Sequence, residues 1–260
     1  MKCERIVQIT DTHIVENYKE SVLYWDPINA LESVVSDIKS LSHPPQFVIA
    51  TGDLVHEPSA ANYLALKKIL STLDMPVLAI PGNHDSASDM AEFLLGANIE
   101  MVECKALAGG GWAVVFLDSQ VPGEEHGKIS SESISKLQQI YRSLGNRKIL
   151  LALHHSPTPE CFTPSCQLLE KHRLLDFLAE DDKTQAVVSG HTHCLTEKEH
   201  AGIMLLTTPS TLFQVDHFQT EPREETDNYM DFHRFDGEKK GYRIIDFFEN
   251  GTMSSEIRWV

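Results

Sequence analysis

Five short apolar runs constrain this sequence most, because polar residues able to bind metal ions follow each run at once. The runs are Arg5–Thr10, Gln46–Thr51, Met75–Ile80, Lys148–Leu153 and Gln185–Ser189. Short runs rich in β-branched residues are typical of strands that are buried on both faces of a sheet. In α/β folds, ligands lie beyond the carboxyl ends of such strands. We therefore expect five strand ends to bring oxygen and nitrogen donors to one edge of an α/β fold.

The polar residues behind the runs are carboxylates, an amide and imidazoles. In chain order they are Asp11 and His13, Asp53 after Gly52, then Asn83, His84 and Asp85, then His154 and His155, and finally His191 and His193 after Gly190. Residues two apart in extended backbone point to the same side, which predicts that Asp11 and His13 act together, as do His191 and His193. Singly, each motif also fits a turn or a buried imidazole. Five such motifs at five strand ends favour a shared functional site over five unrelated turns or buried imidazoles.

Length and helix signals indicate one α/β domain over residues 1–260, since 260 residues are too few for two full-sized domains and a linker. Asp26, Ser59 and Ser130 are predicted helix N-caps, and the apolar spacing predicts a further helix over Leu168–Leu178. The stretch Ser86–Ala106 is predicted as a helix followed by a connector. These helices are interpreted as scaffold between the strands.

The last part of the sequence predicts a long loop and a hairpin. Val215–Lys240 is too long for an ordinary connection, so it is either a functional loop or a partly mobile one. Asn250-Gly251 between alternating runs predicts a β-hairpin over residues 242–260. An exposed hairpin can pair with a second copy of the chain, so a homodimer is a further hypothesis.

Composition and charge exclude several classes of protein. No apolar run approaches the roughly 20 residues that span a bilayer, and the N-terminus leads directly into a strand, so we expect a cytoplasmic protein without membrane insertion. The five cysteines lack a metal-finger spacing and are expected to be reduced. A formal charge of −16, without a Lys/Arg cluster, argues against nucleic-acid binding. An anionic substrate would therefore need bound cations.

The candidate ligands predict a centre of two divalent metal ions. They are Asp11, His13, Asp53, Asn83, His154, His191 and His193. Oxygen and imidazole donors without thiolate favour Fe or Mn, with Zn or Co as alternatives. The set is too large for one ion, whereas two ions about 3.5–4 Å apart that share Asp53 would use it fully. Either His154 or His155 serves as the ligand, and the other is a supporting or solvated residue.

A two-metal centre of this kind is typical of hydrolases. The ions lower the pKa of a bridging water, so that a metal-bridging hydroxide attacks phosphorus while the ions hold the phosphoryl oxygens. The leaving alkoxide then needs a proton. His84 is the candidate general acid because it adjoins Asn83 without having to be a ligand, and Asp85 is the candidate residue that orients or charges it.

The ordered motifs resemble the calcineurin-like metallophosphoesterase superfamily. They are Asp11-x-His13, Gly52-Asp53, Gly82-Asn83-His84-Asp85, His154-His155 and Gly190-His191-x-His193. The resemblance implies a four-layer αββα sandwich with two mixed sheets flanked by helices. It implies one ion on Asp11, His13 and His193, another on Asn83, His154 and His191, and Asp53 between them. It also implies His84 as the catalytic acid and favours His154 over His155 as the ligand.

Further stretches resemble the bacterial class III cyclic nucleotide phosphodiesterases of the cyclic-AMP type. These are Gln8–His13, Thr208–Thr211 and the end from Gly241-Tyr242-Arg243 through Asn250-Gly251-Thr252. This resemblance implies hydrolysis of a small-molecule phosphodiester, with 3′,5′-cyclic nucleotides cleaved to 5′-nucleotides and cyclic AMP favoured. The alternatives are a broad phosphodiesterase acting on glycerophosphodiesters or 2′,3′-cyclic nucleotides, and a metal-binding regulatory protein without turnover.

Overall fold

Two six-stranded sheets form the centre of the computed structural model, which describes residues 3–17, 19, 25–158, 166–216 and 234–260. The strands are β1 (Cys3–Ile9), β2 (Val48–Thr51), β3 (Val77–Ile80), β4 (Ile99–Glu100), β5 (Cys104–Ala106), β6 (Trp112–Phe116), β7 (Gly127–Lys128), β8 (Lys148–Ala152), β9 (Leu168–Leu169), β10 (Thr184–Ser189), β11 (Thr196–His200), β12 (Ile203–Thr207), β13 (Gln214–Asp216), β14 (Arg234–Asp236), β15 (Gly241–Phe248) and β16 (Met253–Trp259). The helices are α1 (Pro27–Ser40), α2 (Ala60–Leu70), α3 (Ala87–Asp89), α4 (Ser131–Ser143) and α5 (Lys171–Glu180).

Both sheets are mixed. The first has the strand order β16-β15-β1-β2-β3-β4, with β1 parallel to β2 and antiparallel to β15. The second has the order β11-β12-β10-β8-β6-β5, with β6, β8, β10 and β12 parallel and β11 and β5 antiparallel at its edges. The five strands predicted to carry the site are therefore divided between the sheets, three in the first and two in the second.

Alternation of side chains along each strand explains the layers. Ile49 points into the core between the sheets, whereas Val48 and Ala50 pack against α1 and α2. In the second sheet, Leu150 points into the same inner core and Leu151 packs toward α4 and α5. Because successive strand residues face opposite sides, both sheets are buried on both faces. The predicted arrangement of two mixed sheets flanked by helices is confirmed.

Side-chain caps begin the predicted helices. Asp26 accepts a hydrogen bond from the Asn29 amide at the start of α1, and Pro27 occupies the first helical turn. Ser59 and Ser130 cap α2 and α4 in the same way. An Asp or Ser oxygen at this position satisfies an amide that has no partner within the helix, which is why these residues mark helix starts.

Two predicted helices differ from the structure. The helix predicted over Leu168–Leu178 begins only at Lys171, because Leu168–Leu169 pairs with Gly127–Lys128 and Glu170 turns the chain with a φ of 55°. In the predicted helix after Ser86, α3 covers three residues and passes into a π-helical turn at Met90–Leu94. Most of the predicted loop Val215–Lys240 lies outside the described residues.

A buried arginine joins the two sheets behind the strand ends. Arg243 on β15 is fully buried and donates hydrogen bonds to the Thr207 carbonyl (3.1 Å) and to the Thr208 hydroxyl (3.1 Å). It also donates to Ser255 (2.8 Å) and to Glu197 (3.1 Å). The guanidinium therefore ties β15 to β16 within one sheet and to the end of β12 in the other.

The two edge strands of the first sheet are β4, which has two residues, and β16, the last strand in the sequence. β16 pairs antiparallel with β15 around the Asn250-Gly251 turn and forms one edge. Pairing of this edge with a second copy of the chain stays a prediction. In the described part of the chain, each helix is too short or too polar to cross a membrane.

Candidate metal centre

All the predicted site residues lie where strands of the two sheets end. Asp11, Asp53 and Asn83 follow β1, β2 and β3 of the first sheet. His154 and His191 follow β8 and β10 of the second. Since the carboxyl ends of these parallel strands meet at one edge of the sandwich, residues far apart in sequence reach the same small volume.

The backbone at five of these residues is left-handed. The φ angles are 52° at Asp11, 43° at His13, 51° at Asp53, 70° at His191 and 48° at His193. The prediction that the paired residues project from extended backbone is therefore wrong, although their side chains do reach the same edge. Non-glycine residues seldom adopt positive φ, and such strain concentrates at functional sites.

Asp11, His13 and His193 form a first donor group. His13 Nε2 and His193 Nε2 are 3.1 Å apart, and His193 Nε2 lies 3.5 Å from Asp11 Oδ1. All three side chains are buried. The pKa of His13 is far below its ordinary value, because burial disfavours the imidazolium and the neighbouring His84 adds to that effect. His13 is therefore a neutral imidazole, the form that binds a metal ion.

Asn83, His154 and His191 form a second donor group. His154 Nε2 lies 3.1 Å from Asn83 Oδ1 and 3.2 Å from His191 Nδ1. His154 is fully buried, whereas Asn83 and His191 are partly exposed. The second donor group is therefore the one that solvent reaches.

Asp53 lies between the two groups. Its Oδ2 atom is 3.9 Å from His13 Nε2 and 3.3 Å from His154 Nε2. Its Oδ1 atom accepts a hydrogen bond from the His84 amide (2.9 Å). Burial raises the pKa of Asp53, but His154 and His84 outweigh burial and hold the pKa well below its ordinary value. One ionised carboxylate therefore reaches both groups.

Backbone carbonyls fix which nitrogen faces the centre in three of the imidazoles. His154 Nδ1 donates to the Thr51 carbonyl (2.8 Å), His191 Nε2 to the Cys166 carbonyl (2.8 Å) and His193 Nδ1 to the Phe213 carbonyl (3.2 Å). A neutral imidazole has one N–H, so the nitrogens that face inward carry lone pairs. A carbonyl behind a metal-binding histidine is the usual arrangement in metalloproteins.

The donor atoms fit bound cations. His154 Nε2 and His191 Nδ1 face each other at 3.2 Å, and the other ring nitrogen of each histidine is bonded to a backbone carbonyl, so a positive charge shared by the two facing nitrogens is favourable. Burial lowers the pKa of His154, but Asp53 outweighs burial and raises the pKa to about 9. The electrostatic field at this nitrogen therefore favours a positive charge, which either a proton or a metal ion can supply.

Close approach of the strand ends requires glycine at position 52. Gly52 has a φ of 89°, and a Cβ atom there would lie 2.5 Å from His154 Nδ1 and 2.7 Å from the Gly82 amide nitrogen. Any side chain would push apart the two turns that carry Asp53 and Asn83. The motif Gly52-Asp53 is thus a packing requirement as well as a ligand signal.

His84 is oriented by a carbonyl and not by Asp85. His84 Nδ1 donates to the His56 carbonyl (2.7 Å), which leaves Nε2 as the nitrogen able to transfer a proton. The expectation that Asp85 orients His84 is corrected, because the Asp85 oxygens face the protein interior. They accept hydrogen bonds from Leu54 N, Val55 N, Gly82 N and Tyr63 Oη.

Charge still reaches His84 through space. Burial lowers its pKa, but Asp53, the His56 carbonyl and Asp85 outweigh burial, and the net shift of the His84 pKa is upward. Burial and the nearby Asp53 raise the pKa of Asp85 to about 6. The upward shift of the His84 pKa favours the protonated imidazole, the form that a general acid needs.

Comparison with known proteins identifies the family. The sequence profile of the calcineurin-like phosphoesterases matches residues 4–195. The chain belongs to this calcineurin-like phosphoesterase family. Calcineurin-like phosphoesterases are hydrolases with a dinuclear metal centre, and the His/Asp groups described above provide donors for one.

Relatives within the calcineurin-like phosphoesterase family match most of the chain. The 3′,5′-cyclic adenosine monophosphate phosphodiesterase CpdA of Escherichia coli (strain K12) is 30% identical over 259 residues, which cover 97% of this chain and 88% of the relative. The probable glycerophosphodiester phosphodiesterase GpdQ of Arcobacter nitrofigilis is 28% identical over 220 residues, covering 81% and 79%. A dimetal phosphatase from Danio rerio shares the fold with a TM-score of 0.64 at 14% identity, covering 99% and 98%.

In this calcineurin-like phosphoesterase, His155 is a supporting residue by its contacts. Its Nδ1 accepts a hydrogen bond from the Ser119 hydroxyl (2.8 Å) and its Nε2 donates to the Glu125 carbonyl (3.2 Å). Burial and the neighbouring His191 hold the pKa of His155 well below its ordinary value, so the ring is neutral. With both nitrogens engaged, His155 holds the loop after β6 against the site.

Sequence reasoning missed two residues of this calcineurin-like phosphoesterase site. The ring of His56 stacks on that of His84, with centroids 5.1 Å apart, and its Nδ1 is 3.5 Å from His13 Nδ1. Gln120 Nε2 donates to the carbonyls of Gly82 and Asp85, both at 2.6 Å. His56 lies three residues after Asp53, and Gln120 lies four residues after the end of β6. Only the fold brings them to the Asn83-His84 turn.

Proposed function

We propose that the protein is a phosphodiesterase that hydrolyses 3′,5′-cyclic nucleotides to 5′-nucleotides, with cyclic AMP the favoured substrate. The choice of substrate rests on the similarity over 97% of the chain to a relative named a cyclic AMP phosphodiesterase. The geometry supports hydrolysis of a phosphodiester, because two donor groups that share Asp53 lie beside a histidine positioned to give up a proton.

In this proposal, the two donor groups hold one divalent ion each. Asp11, His13 and His193 bind the first, Asn83, His154 and His191 bind the second, and Asp53 serves both. The mixture of oxygen and imidazole donors favours Fe or Mn, with Zn or Co as alternatives. When bound, such ions supply positive charge to the phosphoryl oxygens and lower the pKa of water.

The protein's own groups orient the substrate and transfer a proton. The His56 carbonyl holds the N–H of His84 at Nδ1, which leaves Nε2 as the nitrogen that transfers a proton. As water attacks phosphorus and the bond from phosphorus to the 3′ oxygen breaks, protonated His84 gives the proton on Nε2 to that oxygen, so that the 5′-nucleotide forms with a 3′-hydroxyl and not an alkoxide. Gln120 donates to two carbonyls of the turn that carries Asn83 and His84, and so holds the acid His84 at a fixed position relative to the ligand Asn83.

A kinetic comparison tests the proposal. Protein loaded with Mn²⁺ is assayed for kcat/KM on cyclic AMP, with bis(4-nitrophenyl) phosphate as the general diester and Asp53→Asn as the inactive control. We expect turnover of both substrates by the native protein and of neither by the variant. Turnover of bis(4-nitrophenyl) phosphate without cyclic AMP would overturn the cyclic nucleotide assignment and leave the diester hydrolase.

A second candidate is a broad phosphodiesterase acting on glycerophosphodiesters or 2′,3′-cyclic nucleotides. The similarity to the glycerophosphodiester phosphodiesterase relative over 81% of the chain favours it. The same assay with glycerophosphoethanolamine and 2′,3′-cyclic AMP separates the two candidates. A higher kcat/KM on either of these than on 3′,5′-cyclic AMP would favour the second candidate.

A further inference from the structure

A cleft of about 560 Å³ opens beside His84, and Asn83 and His84 belong to its wall. A general acid must lie within hydrogen-bond reach of the oxygen that it protonates. His84 Nδ1 is already bonded to the His56 carbonyl, so the proton leaves from Nε2 of a side chain that lines the cleft. A diester held at the metal centre would therefore direct its leaving alcohol into this cleft.

Apart from His84, whose proton goes to the leaving oxygen, the described wall of the cleft offers no cationic side chain to a second phosphate. No lysine or arginine is among the described residues that line it. Its one carboxyl group, that of Asp85, faces inward and accepts hydrogen bonds from amides and from Tyr63. By contrast, sites that bind phosphate without a metal use Arg, Lys or clustered backbone amides.

The surface of the cleft suits an uncharged alcohol with hydroxyl groups or a flat ring. The hydroxyls of Ser86 and Ser88 lie 3.0 Å apart on one side. Pro58 and Pro122 provide apolar faces, and the His56 ring lies nearly parallel to that of His84, at 23°. Pockets of roughly 300–1,000 Å³ with a few polar groups bind small organic ligands, and this cleft is of that size.

Two acidic residues are adjacent in sequence to the wall of the cleft. Glu57 lies between the lining residues His56 and Pro58, and Glu124 follows the lining residue Gly123. Both glutamates are exposed to solvent. The whole chain carries a formal charge of −16, so the long-range potential adds to the local repulsion of an anionic group.

We propose that this cleft binds the leaving alcohol of the diester and selects alcohols without a further phosphate. The inference rests on the proposed function and narrows it to diesters whose single charge is on the scissile phosphate. Cyclic nucleotides and glycerophosphodiesters both satisfy this condition. Linear nucleotides with a phosphorylated leaving nucleoside do not.

A matched set of dinucleotides tests the proposal. Adenylyl-adenosine (ApA) gives adenosine and 5′-AMP when water attacks phosphorus and the 3′ oxygen leaves with a proton. Its 5′-phosphorylated form, pApA, differs by one phosphate on the leaving nucleoside, and ApAp carries the same phosphate on the other nucleoside. We expect kcat/KM to be about tenfold higher for ApA than for pApA, since like charges across a recognition surface are strongly disfavoured. ApAp should stay within about threefold of ApA.

Charge-reversal variants localise the effect. Glu57→Lys combined with Glu124→Lys should reduce the ratio of kcat/KM for ApA to that for pApA to about threefold or less, because two positive side chains next to the cleft wall in sequence would then attract the extra phosphate. Ser135→Lys adds positive charge on the exposed surface of α4, away from the cleft, and should leave the ratio unchanged. An unchanged ratio of kcat/KM for ApA to that for pApA in the double variant would overturn the claim that Glu57 and Glu124 repel the extra phosphate.

Two outcomes separate this inference from the proposed function. Equal kcat/KM for ApA and pApA, or failure to cleave ApA, by protein that hydrolyses bis(4-nitrophenyl) phosphate would overturn the inference alone. Failure to hydrolyse bis(4-nitrophenyl) phosphate by protein containing two metal ions per chain would overturn the proposed function and the inference with it.

Discussion

Replacement of the buried Arg243 by methionine should destabilise the fold while leaving the metal donors in place. The guanidinium donates to two buried acceptors of the second sheet, the Thr207 carbonyl and the Thr208 hydroxyl. Hydrogen bonds from a charged donor contribute about 1.5–3 kcal/mol each, and methionine supplies none. Loss of the partner of Glu197 costs little free energy of unfolding, because the Glu197 side chain is 51% exposed and water can hydrate it.

The opposing term is the cost of burying the guanidinium, which methionine avoids. Removing one partner of a buried charged network usually lowers the free energy of unfolding by about 3–5 kcal/mol. Because methionine avoids the cost of burying the charge, we expect Arg243→Met to lie near the lower figure, about 3 kcal/mol. For a protein of this size, a loss of 1 kcal/mol lowers Tm by roughly 2–4 °C, so we expect a decrease of about 6–12 °C.

Thermal unfolding followed by circular dichroism measures this effect. The protein is freed of metal first, because bound ions raise Tm by mass action and would obscure the change. Glu197→Gln is the matched control, since an exposed ion pair contributes at most about 1 kcal/mol. A Tm for Arg243→Met within about 2 °C of the native protein, or an equal loss in both variants, would refute the argument that Arg243 holds the two sheets together.

Three further predictions concern the acid, the metals and pH. His84→Ala should keep two metal ions per chain but lose about 10²–10⁴ in kcat on cyclic AMP, with a smaller loss on bis(4-nitrophenyl) phosphate because nitrophenolate leaves unprotonated; equal losses would remove His84 as the acid. Chelation should lower Tm by about 5–10 °C, since a ligand at a hundred times its Kd contributes about 2.7 kcal/mol, and added Mn²⁺ should restore it. Burial raises the pKa of Asp246, but Arg5, bonded at 2.7 Å, outweighs burial and lowers the pKa below its ordinary value. This stabilisation is present above the unfolded pKa of about 3.9 and is lost as pH falls through the lower folded value. The free energy of unfolding of metal-free protein, measured by urea titration at each pH, should therefore lack this acid-dependent loss in Asp246→Asn.

Much of the fold could be predicted because local signals coincide with the elements. The five apolar runs became β1, β2, β3, β8 and β10, and capping residues mark the starts of three helices. Strand signals do not reveal which strands share a sheet, so the division of the site between two sheets was not visible. Short elements such as β9 and the π-helical turn depend on contacts distant in sequence, and local spacing did not predict them.

The residue types of the candidate site were predictable, but their backbone was not. Asp11 and His13 adopt positive φ because hydrogen bonds fix the turn from outside: their amides donate to the carbonyls of Gly52 and Asp53. The amide of His191 likewise donates to the carboxylate of Asp11 at 3.0 Å. These restraints join segments up to 180 residues apart, so no short stretch of sequence contains them. His56 and Gln120 were missed for the same reason.

The pairing of β15 with β1 has a consequence for synthesis on the ribosome. Arg5 and Asp246, bonded across these strands, are 241 residues apart, so β1 emerges long before the strand that covers its edge. Every donor of the metal centre is translated before β15, yet the sheet that supports three of the donor strands is still incomplete on that side. An uncovered strand edge invites pairing with other chains, and contacts this distant in sequence form slowly. The nascent chain therefore exposes an unpaired edge of β1 until β15 is translated, a condition that favours aggregation.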